Sequence, residues 1–204
     1  MKKYTLNTFL FFLTINLLSS QNLDSLYVSR VNDTILSKYL NEKRAIEIQL
    51  PRSYETEVDK NYPLMIVLDG DYMFNIVSGS VDYLSYWGDI PENLVVGINQ
   101  KDTRFQDSSV FDNITFTPIS STASFYDFIV NELIPYFSKN YRVSNFKVIV
   151  GQERTANFAN FFSTTIIWKV DNKCENSGCS RINSVLILFN SSKYSLASSF
   201  LLFS

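Results

Sequence analysis

Three stretches of this sequence gather side chains that could do chemistry. Asp69-Gly70-Asp71 sets two carboxylates across one glycine, the oxygen donors a hard cation takes, and local turn geometry explains the same residues equally well. Gly151-Gln152-Glu153-Arg154-Thr155 follows an apolar run and precedes a helical pattern. Glu153 therefore stands at a helix N-terminus, where the macrodipole favours a negative side chain by about 0.3–1 kcal/mol. Cys174 and Cys179 enclose Glu175-Asn176-Ser177-Gly178, and a disulfide closing so short a loop stabilises by only ~2 kcal/mol. The same two thiols can equally stand free on a surface loop, and alone they leave zinc under-coordinated. The chain contains no histidine, so no imidazole base or imidazole ligand is at hand. No metal and no other cofactor is expected.

Elements must position these residues, and the composition says they can form. The 204 residues are 46% hydrophobic, with 17 Phe and 12 Tyr, which suits one globular domain and contradicts disorder. With 18 basic against 20 acidic side chains the net charge is -2, which excludes binding to nucleic acid driven by phosphate charge. Lys2 and Lys3, the apolar run from Phe9 to Leu18, and Ser19-Ser20 have the three parts of a secretory signal peptide. The expected division is a signal peptide at 1–20 and one domain at 21–204, exported to the periplasm or secreted, in a bacterium. The apolar run falls short of the roughly 20 residues of a membrane helix, so no stable membrane span is expected after cleavage. An oxidising compartment would permit the Cys174–Cys179 bridge.

Along the domain, Arg44 to Leu50 alternates apolar and polar, the period of a half-buried strand that Pro51 stops. Pro63 to Leu68, Asn93 to Ile98, Phe146 to Val150 and Ser184 to Phe189 are continuous apolar runs, as strands buried on both faces read. Between them, helical spacing marks 72–87, 122–137 and 156–162, with Pro135 ending or bending the second helix in its last turn. Phe158, Phe161 and Phe162, beside Trp168, have the spacing of core packing rather than of a ligand wall. Residues 99–121 form a long polar connection, expected to be a loop and a candidate for function. Strands alternating with helices give an α/β fold with a mostly parallel sheet and helices on both faces.

The ordered segments resemble a known family. Arg44 through Tyr54, Tyr62 through Gly70, Val96-Gly97-Ile98-Asn99 with Arg104 and Asp107, and Phe128 through Pro135 with Tyr141-Arg142 are similar to the Putative esterase family. That family, which includes enterochelin esterase and esterase D, belongs to the α/β-hydrolase fold. The resemblance covers about residues 35 to 165 and implies a three-layer α/β-hydrolase-like domain, with the C-terminal part of that fold expected to be missing. It implies backbone N–H groups of an oxyanion hole near Gly70 and Asp71. It also implies a nucleophile elbow, Gly-x-Ser-x-Gly, at Gly151 to Thr155.

Here the chain departs from the family. Glu153 occupies the Ser place, and a carboxylate has no proton for a base to remove. Thr155 occupies the second Gly place, where a β-branched side chain is expected to crowd helix against strand. A Ser-His-Asp mechanism also needs a histidine, which this chain lacks. The expectation is an esterase-like protein without catalysis, ligand-binding or vestigial, whose remnant pocket is bordered by Gly70, Asp71, Arg104, Gln152 and Arg154. Its partner would be a small ester or peptide-like ligand. Arg104 and Asp107 are read as substrate contacts or as a surface ion pair. Two alternatives stand beside this: a non-standard ester hydrolase using Glu153, and a cell-surface interaction protein.

Overall fold

The alternation of apolar runs and helical spacing builds a sheet whose two faces are covered by different helices. In the computed structural model, which describes residues 28–162 and 184–189, the order is β1 (Arg30–Ser37), β2 (Glu42–Gln49), β3 (Tyr62–Val67), α1 (Gly70–Tyr86), β4 (Leu94–Ile98), α2 (Arg104–Ser108), α3 (Ser120–Phe128), a π-helical turn (Ile129–Leu133), α4 (Ile134–Asn140), β5 (Val143–Gln152), α5 (154–162) and β6 (Ser184–Phe189). The leader at 1–20, Trp168, Cys174 and Cys179 lie outside the described residues.

The six strands are ordered β1-β2-β4-β3-β5-β6. β4, β3, β5 and β6 run parallel, while β1 and β2 join antiparallel at one side. Successive side chains of β3 feed two cores. Leu64, Ile66 and Leu68 pack with Phe125, Phe128, Ile129, Phe137 and Phe158 from α3 to α5. Met65 and Val67 pack with Met73, Phe74, Val77 and Val81 of α1. Phe158 and Phe162 are buried, as their spacing predicts.

From β3 the chain crosses by α1 to β4 on one side, then returns past β3 to β5 on the other. The carboxyl ends of β3 and β5, where the two crossovers diverge, therefore form the crevice at which open α/β sheets place their sites. Asp69 follows β3 and Glu153 follows β5.

One strand escapes the sequence reading, and two expectations are corrected. β1 pairs along its whole length with β2 although its sequence shows no clean alternation, because an edge strand with mostly exposed side chains needs none. The connection at 99–121 is not a structureless loop: it holds α2 and a Phe111–Pro118 bridge before α3 begins at Ser120. The helix expected at 122–137 runs from Ser120 to Asn140 and changes character inside. Pro135 has no N–H and its ring strikes the carbonyl four residues back, so the preceding turn widens to π geometry and Pro135 enters the first turn of α4. Among the described residues no helix is long and apolar enough to cross a membrane.

Candidate functional site at the strand-to-helix elbow

β5 ends in an abrupt turn into α5, and Glu153 takes that turn in the left-handed region, with φ 53°. For a residue other than glycine this conformation costs about 1–3 kcal/mol and persists where surrounding contacts impose it. The contacts are visible. The Gln152 N–H donates to Thr155 Oγ1 (2.8 Å), and that hydroxyl lies 2.7 Å from Asp69 Oδ2 and 2.9 Å from the Gln152 carbonyl. A Cβ on Gly151 would come within 2.6 Å of the Thr155 carbonyl group, so only glycine lets α5 approach the end of β5 this closely. Thr155 is fully buried there. The expected crowding by Thr155 does not occur: Gly151 supplies the room, and the Thr155 hydroxyl closes the turn.

Asp69 is the floor of the site. It is buried, caps α1 and is itself left-handed, with φ 54°. Its Oδ1 accepts from Arg104 Nε (2.7 Å); its Oδ2 faces Thr155 and accepts from the Tyr72 hydroxyl (3.1 Å). Arg104 also donates to the Gln152 carbonyl (3.0 Å) and approaches Glu153 Oε2 at 3.9 Å. The hydrogen bond to Asp69 holds the Arg104 guanidinium above its ordinary pKa. Burial, together with the Asp69 charge, pushes the Tyr72 phenol up to about 12. Arg154 lies over the Phe105 ring, 5.3 Å from its centre. The Glu153 side chain, half exposed, stands at the mouth.

The fold thus gathers Arg104, Gln152 and Glu153 around Asp69, with Gly70 and Asp71 in the adjoining first turn of α1. A Cβ on Gly70 would lie 2.7 Å from the Ile98 nitrogen, which fixes how closely that turn meets β4. Asp69 does not form a cation site with Asp71: both Asp69 oxygens meet protein donors, and Asp71 Oδ1 accepts from the Gln100 N–H (3.2 Å). Among the described residues no cluster of three or more His, Cys, Asp or Glu could hold a metal.

Asp107 belongs elsewhere. It pairs with Arg44, Nη1 to Oδ2 at 2.5 Å and Nη2 to Oδ1 at 3.1 Å, with both side chains 4% exposed. Arg104 and Asp107 are therefore not a surface ion pair; each meets a partner far away in sequence. Gln100 links the two arrangements, its Oε1 accepting from the Asp69 N–H (2.8 Å) and its Nε2 donating to Asp107 Oδ2 (3.1 Å). Sequence reasoning missed Arg44, Tyr72 and Gln100. One signal was present for Arg44: it shares the inward phase of Ile46 and Ile48, and a charge pointing inward requires a buried partner.

A cavity of about 430 Å³ lined by Phe111, Phe116, Asn157, Asn160 and Phe161 flanks α5, and none of these residues belongs to the elbow. Phe161 is thus part of a cavity wall as well as of the core margin.

Comparison with known proteins bears on the family and the fold. The profile of a family described as Putative esterase matches residues 37–159. The search among curated proteins finds no match. Among solved structures, an uncharacterised protein from Capnocytophaga ochracea DSM 7271 is 26% identical with TM-score 0.60, over 67% of this chain and 36% of that one. An IroE-like serine hydrolase from Shewanella oneidensis is 24% identical with TM-score 0.59, over 68% and 47%. The enterobactin esterase from Shigella flexneri, in the presence of 2,3-di-hydroxy-N-benzoyl-glycine, is 19% identical with TM-score 0.52, over 66% and 32%. The last two likenesses speak for the α/β-hydrolase-like fold alone. The chain spans less than half the length of each of these proteins.

Proposed function

This chain belongs to the Putative esterase family, and from that premise we propose that it binds a small ester or peptide-like ligand at the elbow without hydrolysing it. The observation that carries this reading is Glu153 in a left-handed strand-to-helix turn, φ 53°, which supports reading it as a carboxylate at the place where the family's nucleophile elbow needs a hydroxyl. Serine-type acyl transfer begins with a proton leaving the nucleophile toward a base; Glu153 has none to give, and these 204 residues contain no histidine to take one.

A Glu153 nucleophile would instead form a mixed anhydride, expelling the alcohol, and water would have to cleave that anhydride with help from a base. The neighbouring carboxylate is Asp69, whose oxygens face Arg104, Thr155 and Tyr72. It is therefore poorly placed to activate water. Binding asks less of the site: the half-exposed Glu153 accepts hydrogen bonds, and the partly exposed Arg104 donates them. The N-terminal Lys2-Lys3 and apolar run support placing this function outside the cytoplasm.

The test measures hydrolysis of short-acyl, long-acyl and siderophore-like esters by folded wild type and Glu153→Gln, with calorimetric titration of the same esters. The expected result is no turnover by either protein, and saturable binding to wild type that weakens at least about tenfold in Glu153→Gln, the loss of one charge-assisted hydrogen bond. Turnover abolished by Glu153→Gln would establish a histidine-independent hydrolase instead. Absence of both turnover and binding would sink the ligand-binding reading.

A further inference from the structure

Helix α1 has two apolar faces, and the described residues bury only one. Met73, Phe74, Val77 and Val81 bury the inner face against the sheet. The outer face carries Tyr72 (44% exposed), Ile76 (63%), Tyr83 (64%) and Tyr86 (61%), and continues to Trp87 (65%) at the C-cap. At 3.6 residues per turn these five fall within an arc of about 100° opposite the buried side. A surface helix normally turns polar residues outward, and a concentrated aromatic stripe marks an interaction surface.

The order of the stripe identifies the partner. Tyr72, Ile76 and Gly79 lead to the Gly79–Ser80 bond, and Ser80, Tyr83 and Trp87 leave it at the same spacings in reverse. Tyr72, Ile76, Tyr83 and Trp87 are palindromic about this bond, large at both ends and small at the centre, while Tyr86 has no exposed counterpart. Gly79 has no internal reason to be glycine: a Cβ there would meet nothing within 4 Å, while glycine inside a helix costs about 0.5–1 kcal/mol relative to alanine. Its small size leaves room for something approaching from outside. A contact with twofold symmetry must be complementary to itself, which a palindromic stripe satisfies when two helices cross antiparallel. With aromatic side chains covering about 150–250 Å² each, the stripe exposes on the order of 600 Å², most of the roughly 800 Å² per partner that a stable interface takes. α1 itself carries no Lys or Arg, and the basic groups beside it are engaged by the fold: Arg52 pairs with Asp82 (2.7 Å) and lies over Tyr86, and Arg30 donates to Asn75 (2.7 Å).

We propose that α1 is a homodimer contact, two copies crossing antiparallel about an axis between Gly79 and Ser80. Ile76 then meets the partner subunit's Tyr83, and Tyr72 meets the partner subunit's Trp87. Because the Tyr72 hydroxyl bonds Asp69, the second copy borders the elbow. This inference is independent of the ligand-binding reading.

Sedimentation velocity on the purified chain should show a monomer–dimer equilibrium with a dissociation constant of about 1–100 µM, and Ile76→Glu or Tyr83→Glu should raise it at least about tenfold. Both positions are exposed, so the variants should retain the wild-type circular dichroism spectrum and unfolding midpoint. The register has its own readout in a Cys174→Ser, Cys179→Ser background. Ile76→Cys chains mixed with Tyr83→Cys chains should cross-link to each other under mild oxidation far more than either does alone, since two copies of position 76 would lie about 10 Å apart along the axis. A monomer throughout that range overturns the proposal. So does a dimer indifferent to both Glu substitutions, or equal cross-linking alone and mixed. A monomer whose binding to phosphatidylcholine vesicles is lost in the same variants would also overturn it, in favour of a membrane-facing stripe.

Discussion

Asp69 and Asp107 are two buried aspartates joined through one glutamine, and they are used differently. Asp107 is sealed: Arg44, Gln100 and Thr103 surround it with donors, and its arginine is as buried as it is. Asp69 is equally buried, but its arginine is 28% exposed and reaches the mouth of the elbow. The first arrangement pins α2 to β2. The second ties α1, α2 and the elbow together while keeping a charged group in contact with solvent. The comparison teaches what the matching Arg104 and Asp107 do in this chain: one lies at the site, and the other braces the segment that delivers it.

The sharpest way to break this comparison is to remove each carboxylate. Asp107→Ala leaves the buried Arg44 guanidinium with the partly exposed Glu42 as its remaining carboxylate (2.6 Å) and should cost about 3 kcal/mol in urea unfolding. Asp69→Ala should cost less, about 1–3 kcal/mol, because Arg104 can turn to water. Equal losses would mean that exposure of the arginine makes no difference. The double variant should be additive within about 0.5 kcal/mol, since Gln100 bonds the backbone N–H of residue 69, which alanine retains.

A smaller effect of opposite sign is expected at the elbow. Glu153→Gly relieves a left-handed strain of about 1–3 kcal/mol and pays back part of it in chain entropy, so a net gain of about 1 kcal/mol, or roughly 2–4 °C in Tm, should appear by calorimetry. No gain would show that the turn is unstrained.

The smallest effect is alkaline. Tyr72 has a folded pKa of about 12 against an ordinary 10.0, raised by burial and then by Asp69. Its contribution is therefore fully present below pH 10 and is lost as pH rises from 10 to 12. Wild type should lose more stability across that window than Tyr72→Phe, as measured by urea midpoints.

Much of the fold was legible because burial on both faces leaves continuous apolar runs. The runs from Pro63, Asn93, Phe146 and Ser184 each contain or overlap a strand of the parallel portion. β1 was not legible, since an edge strand ordered by its neighbour carries little pattern of its own. Nor was α2, whose five residues are too few to show a period. At the site, the apolar run and the helical spacing after it gave the strand-to-helix turn with Glu153 in it, and the family resemblance gave its reading as an elbow, but neither gave the network beneath. Thr155 meets Asp69 across 86 residues, and Arg44 meets Asp107 across 63.

The sequence by itself determined the strand and helix alternation, a glutamate where a strand turns into a helix and the lack of histidine, because these follow from residue identity and short-range periodicity. Only the tertiary structure decided that Thr155 closes the turn rather than obstructing it, that Arg104 and Asp107 take different partners, and that the described residues leave one face of α1 exposed. Each of those depends on which distant groups the sheet order brings within hydrogen-bond or packing distance, and local pattern carries no record of that.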